Sequence, residues 1–60
     1  MKVGSIYKYK TERLPCLVVI TKVIDNKNPE KRIAVGFSLS DSNDTRSIDE
    51  QNWKYWEEVN

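Results

Sequence analysis

Four sets of residues carry side chains suited to chemistry: the thiol of Cys16, the carboxylates Asp41, Asp44, Asp49 and Glu50, the alternation Tyr7-Lys8-Tyr9-Lys10, and the cluster Trp53, Tyr55 and Trp56. Cys16 is the only cysteine and the chain has no histidine, so no imidazole is present to draw off the thiol proton. Beside Pro15 in an apolar run, it reads as a structural cysteine. A calcium loop starting at Asp41 would need glycine at its sixth position and a bidentate glutamate at its twelfth. The sequence places Arg46 and Asn52 there. The carboxylates therefore read as a solvated acidic loop, and the two glycines, Gly4 and Gly36, stand too far apart to cradle a phosphate. No catalytic, cofactor-binding or metal site is expected, and the chain is not expected to be an enzyme.

Binding chemistry is better represented. Tyr7-Lys8-Tyr9-Lys10 interleaves rings with cations, the ingredients of a single-strand nucleic-acid platform. In a regular strand, however, Tyr7 and Tyr9 face opposite to Lys8 and Lys10, so core tyrosines with solvated lysines are the default. Trp53, Tyr55 and Trp56 crowd four positions, more aromatic surface than a small core consumes. Tryptophan and tyrosine are common interface anchors, which makes these three the candidates for binding a partner protein.

Length limits what can position these groups. Sixty residues make one domain, spanning 1–60, and a chain of this size buries only about 60% of its unfolded surface. Small scaffolds are usually reinforced by disulfides, a metal or a partner chain. One cysteine and no histidine leave self-association, with a dimer favoured. A composition 38% hydrophobic and 32% charged is that of a folding chain. The longest apolar stretch, Leu14 to Ile20, is seven residues and contains Pro15, too short for a membrane span or a signal-peptide core, so a cytoplasmic protein is expected. The net charge of +1 conceals an asymmetry: residues 1–32 carry +5 and residues 33–60 carry −4. Its simplest origin is cross-strand pairing between early and late strands. An acidic half that imitates nucleic acid toward a basic protein is the sharper alternative.

The apolar residues recur with a period of two. Val3, Ser5, Tyr7 and Tyr9 share one face of a first strand, with Ile6 the exception on the other. A turn at Thr11-Glu12-Arg13 leads to a second strand from Leu14 to Ile24, with Pro15 at its start or on an edge. If Cys16, Val18 and Ile20 face inward, Leu17 and Val19 face outward and Val23 joins them, which makes these three the self-association candidates. Asp25 to Lys31 has the composition of a turn. In the third strand, Arg32 to Leu39, the large residues Ile33, Val35, Phe37 and Leu39 are expected in the core. The bare face of Ala34, Gly36 and Ser38 leaves room for a ring. Ser40 to Thr45 reads as a loop before a brief strand at Arg46 to Ile48. Ser47 and Glu50 have capping-box spacing, so one alternative is a C-terminal helix. The preferred alternative is a single helical turn at Asp49 to Trp53 followed by a strand from Tyr55 to Val59 that pairs with the first.

The expected fold is thus mostly β: a small SH3-like barrel of four to five antiparallel strands with one short helical turn before the C-terminal strand. The opening Lys2-Val-Gly-Ser-Ile-Tyr-Lys8, the Leu17-Val-Val-Ile20 strand and the closing Trp53-Lys-Tyr-Trp-Glu-Glu-Val59 resemble small SH3-like barrel proteins of Bacillus and other Firmicute phages and prophages. That group includes host-takeover and anti-defence proteins. The resemblance implies a phage or prophage accessory protein that binds and inhibits or modulates a bacterial host protein. It carries over no site residues. The alternative from another class is a nucleic-acid-binding barrel using Tyr7, Lys8, Tyr9 and Lys10. A third is a structural accessory domain without independent activity.

Overall fold

The computed structural model describes residues 1–11, 16–27 and 30–59. The turn expected at Thr11-Glu12-Arg13 and the position of Pro15 lie largely outside the described residues. Five strands, β1 (Ile6–Tyr9), β2 (Leu17–Lys27), β3 (Glu30–Ser38), β4 (Asp41–Asp49) and β5 (Trp56–Val59), form one antiparallel sheet in the order β4-β3-β2-β1-β5. A 3-10 helix, η1 (Glu50–Tyr55), precedes β5. The fold is mostly β with a helical turn before a C-terminal strand that returns to pair with β1, as the sequence implies. The sheet is open, with β4 and β5 as its two edges.

β1 is shorter than its alternation suggests because Lys2 to Ser5 form a turn. Ser5 N–H donates to Lys2 O at 3.2 Å, and Gly4 at φ 87° occupies the position that needs a left-handed backbone. At the other end of the long hairpin, strand replaces most of the turn expected at Asp25 to Lys31. The ladder continues through Asp25↔Arg32, Asn26↔Lys31 and Lys27↔Glu30. Pairing carried on from two apolar strands outweighs the weak strand preference of Asp and Asn. Similarly, Ser40 to Thr45 is not a free loop. β4 begins at Asp41, although the ladder passes from Ser38↔Asp41 directly to Phe37↔Thr45. Residues 42–44 bulge out between those pairs, with Asn43 N–H donating to Asp41 Oδ1 at 3.0 Å. The capping-box spacing of Ser47 and Glu50 goes unused, because Ser47 lies in β4 opposite Val35.

Which face of each strand turns inward departs from expectation in two places. The buried core is Tyr7, Val18, Ile20, Ala34 and Ile48, with Met1, Cys16, Val23, Trp53 and Trp56 packed against it. In β3 the small residues Ala34, Gly36 and Ser38 are the buried ones, whereas Ile33, Val35 and Phe37 are only partly covered and Leu39 is 48% exposed. The large face is thus outside. Rings explain the choice: with Tyr7, Trp53 and Trp56 in or against the core, the opposing strand must be thin.

The second departure is at Val23. Val18 and Ile20 face in, and Leu17 and Val19 face out, but the register shifts between Ile20 and Lys22. This bulge at Thr21 turns Val23 onto the inner face, opposite Ala34 and against the core, so it does not join Leu17 and Val19. Thr21 Oγ1 donates to Val35 O at 3.1 Å across the bulge. Gly36 sits opposite Ile20, where the two strands approach so closely that a Cβ would fall on the Val19 carbonyl.

The charge asymmetry is partly cross-strand pairing. Lys8 on β1 meets Glu57 on β5 at 3.4 Å, and Arg32 on β3 pairs with Glu50 at the start of η1. Lys8 and Glu57 are both about half exposed, so their pair adds only about 0.2–1 kcal/mol.

Candidate functional site

The register Tyr9↔Trp56 is the origin of the main candidate site. Side chains of directly paired residues share a face, so the last residue of β1 and the first of β5 place two rings together. Tyr9 and Trp56 meet edge to face, with centroids 5.2 Å apart and planes at 77°. Tyr55, the last residue of η1, adds a third ring 6.3 Å from Tyr9. Its backbone is tied to the end of β1 by Lys10 N–H, which donates to Tyr55 O at 2.8 Å.

These rings form one wall of a concavity of about 310 Å3. Arg46, Ser47 and Ile48 of β4 and Asn52 of η1 complete the lining. The cleft therefore lies between the two edge strands, at the gap that leaves the sheet open. Ile48, 5% exposed, links its lining to the core. Arg46 Nη2 donates to Asp44 Oδ2 at 3.2 Å, and the Lys54 ammonium stands 5.3 Å from the centroid of the Tyr55 ring. Aromatic faces beside cations suit apolar side chains, other rings and carboxylates. Neither an imidazole nor a thiol is among the residues that line the cleft.

The three aromatic candidates are not equivalent. Tyr55 and Trp56 line the cleft, whereas Trp53 is a fastening residue. Its Nε1–H donates to Ile48 O at 2.9 Å, and the Arg32 guanidinium stacks over its ring at 5.0 Å while also pairing with Glu50. This clamp pins η1 to β3 and β4. A second concavity, of about 320 Å3, lies beside it and is lined by Lys31, Asp49, Glu50 and Gln51, with no aromatic wall.

The tetrad Tyr7-Lys8-Tyr9-Lys10 is split. Tyr7 is 7% exposed, and its hydroxyl accepts from Lys2 N–H at 2.8 Å, so its ring is withdrawn from any base. Lys8 lies on the opposite face with Glu57. Only Tyr9 lines the cleft. Sequence reasoning named Tyr9 for a different purpose and missed Arg46 and Asn52. Pairing a closing strand through Val59↔Ile6 predicts Tyr9 beside Trp56, whereas β4's approach to them is tertiary and leaves no local signal. The remaining candidates are accounted for structurally: Cys16 packs against the core, and Asp41, Asp44 and Glu50 engage Asn43, Arg46 and Arg32. Among the described residues no three His, Cys, Asp or Glu side chains gather where they could hold a metal ion, and no helix is long and apolar enough to cross a membrane. Compared with known proteins, the chain matches no protein-family model, no curated protein and no solved structure.

Proposed function

We propose that this chain is a non-enzymatic protein-binding module on an SH3-like scaffold that holds an extended segment of a partner protein in the Tyr9–Tyr55–Trp56 cleft. Support for the scaffold comes from the strand order, with β1 joined to both β2 and β5, the bulged β2 and the 3-10 turn before β5. The observation that carries the function is the grouping of three rings at the mouth of the open sheet, with Tyr55 41% exposed. Aromatic-lined grooves take up extended proline-rich segments, whose preformed helix lowers the ordering cost. A bacterial host protein as the target, in the host cytoplasm, and a phage or prophage origin rest on the resemblance of the opening and closing segments alone.

The test is capture from a bacterial lysate, followed by titration of the captured protein against Tyr55→Ala and Trp56→Ala. Loss of an interface anchor costs about 2 kcal/mol, so Tyr55→Ala should weaken binding about 30-fold, and Trp56→Ala at least as much, because Trp56 also packs against the core. Equal affinity of wild type and Tyr55→Ala would remove the cleft from consideration. A nucleic-acid partner is the second reading, favoured by Lys54 and Arg46 beside the rings. Oligonucleotide binding that falls steeply with added salt would select it over a protein partner.

A further inference from the structure

We infer that the outer face of the sheet is a homodimer contact, on which a second copy of this chain packs sheet to sheet. A half-solvated antiparallel sheet shows apolar residues on one side and polar residues on the other. Here both sides are apolar. The register aligns Val59, Ile6, Val19 and Phe37 in one row across β5, β1, β2 and β3, all on the side away from the core. Val35 and Ile33 continue the patch along β3, and none of the six is buried. The only helix among the described residues, η1, packs through Trp53 against the opposite side.

Area and charge point to a second copy as the occupant. A folded monomer of 7.0 kDa exposes about 4,000 Å2, whereas this chain exposes 4497 Å2. A molecule of 35 × 22 × 19 Å must give most of one broad side to reach the roughly 800 Å2 per partner of a stable interface, and the apolar row crosses four of the five strands of that side. The charged groups of this face nearly balance: Lys8 pairs with Glu57, Lys22 and Asp49 flank Val35 and Ile33 through the ladder, and Lys31, two residues before Ile33, leaves one positive charge in excess. A near-neutral patch on a chain of net charge +1 meets its own copy with little repulsion. Face-to-face sheets also supply the second apolar layer that a small chain with five buried hydrophobic residues among those described lacks. The contact lies on the side of the sheet opposite the aromatic cleft.

Val19 marks the centre of the patch, on the middle strand of the five, so a two-fold contact brings the two Val19 side chains near each other. The experiment is sedimentation equilibrium of wild type, Val19→Lys, Val19→Glu and an equal mixture of the two variants, with Tyr55→Ala as the control for the cleft. Wild type and Tyr55→Ala should show twice the chain mass at micromolar concentration, and their thermal midpoint should rise with concentration. Each Val19 variant alone should sediment as a monomer, and the mixture should recover the dimer through opposite charges. A wild type that stays monomeric with a concentration-independent midpoint overturns the inference. So does a dimer that survives both single substitutions. If a single variant fails to fold, recovery on mixing still supports the contact and failure to recover counts against it.

Discussion

Gly36→Ala tests whether the sheet really turns its thin face inward, because one methyl group is added where two backbones meet. A Cβ at Gly36 would lie 2.9 Å from the carbonyl carbon of Val19, closer still to its oxygen, and 3.1 Å from Cγ1 of Val18. Val18 is fully buried and the other two atoms are backbone, so no rotamer change relieves the overlap. β2 and β3 must separate locally. The cost is overpacking of about 1–3 kcal/mol, plus about 1 kcal/mol for a weakened ladder bond. Against this, alanine restricts the unfolded chain and returns about 0.4–1 kcal/mol. The net loss is about 2 kcal/mol. A chain of 60 residues has about 3–9 kcal/mol of total stability at 0.05–0.15 kcal/mol per residue, so the change removes a large share of it.

The assay is thermal unfolding followed by circular dichroism, at one fixed protein concentration so that any association is held constant. A loss of about 2 kcal/mol lowers the midpoint by about 8–16 °C in a domain of this size. Gly4→Ala is the internal comparison. It carries the φ of 87° that disfavours a side chain, yet its added Cβ meets nothing within 4 Å. Its cost is conformational alone, about 1–2 kcal/mol less the same unfolded-state return. Gly36→Ala should therefore be the more damaging of the two. If it matched wild type, or were milder than Gly4→Ala, the close approach of β2 and β3 and the inward placement of Ala34, Gly36 and Ser38 would both be wrong.

Two further substitutions test neighbouring parts of the argument. Trp53→Phe removes the hydrogen bond to Ile48 O and weakens the Arg32 stacking, which should lower stability by about 1–2 kcal/mol in chemical denaturation while partner binding through Tyr55 and Trp56 persists. Val23→Asp places a charge against the core and should cost about 3 kcal/mol or more, visible as lost sheet signal in circular dichroism. Val19→Lys, four positions earlier on the outer face, should keep that signal, whereas the reverse ranking would put the bulge at Thr21 in error.

A mostly β chain of four to five antiparallel strands was legible in period-two patterning and punctuation, and the helical turn before a strand that returns to β1 was the preferred of two alternatives for the C-terminal segment. Lengths were less legible. The Asp25 to Lys31 segment looks like a turn because composition reports what a residue prefers in isolation, while the ladder that absorbs most of it is propagated from neighbouring apolar pairs. The cleft was half legible: Tyr55 and Trp56 stand out by type, but Tyr9 becomes their partner only through the register of β1 with β5, and Arg46 only through the path of β4.

The inward face of β3 shows most clearly where pattern reading stops. Alternation divides Arg32 to Leu39 into a large apolar face and a small one, and burial energy alone favours hiding the large one, since each aliphatic side chain contributes about 1.5–3 kcal/mol when covered. That comparison holds only if the space opposite is free. Tyr7 is in the core, and Trp53 and Trp56 pack against it from η1 and β5, so the strand beneath them has room for Ala34, Gly36 and Ser38 and not for Phe37 or Val35. The rings at one end of the chain thereby decide the orientation of a strand some twenty residues earlier. The displaced large side chains are only partly covered in the monomer, and Ile33, Val35 and Phe37 lie in one continuous patch with Ile6, Val19 and Val59. Choosing the thin face for the core and presenting an apolar face to a second copy are on this view one packing decision. Any change that thins the rings, such as Trp56→Ala, should loosen both the core and the register on which the outer patch depends.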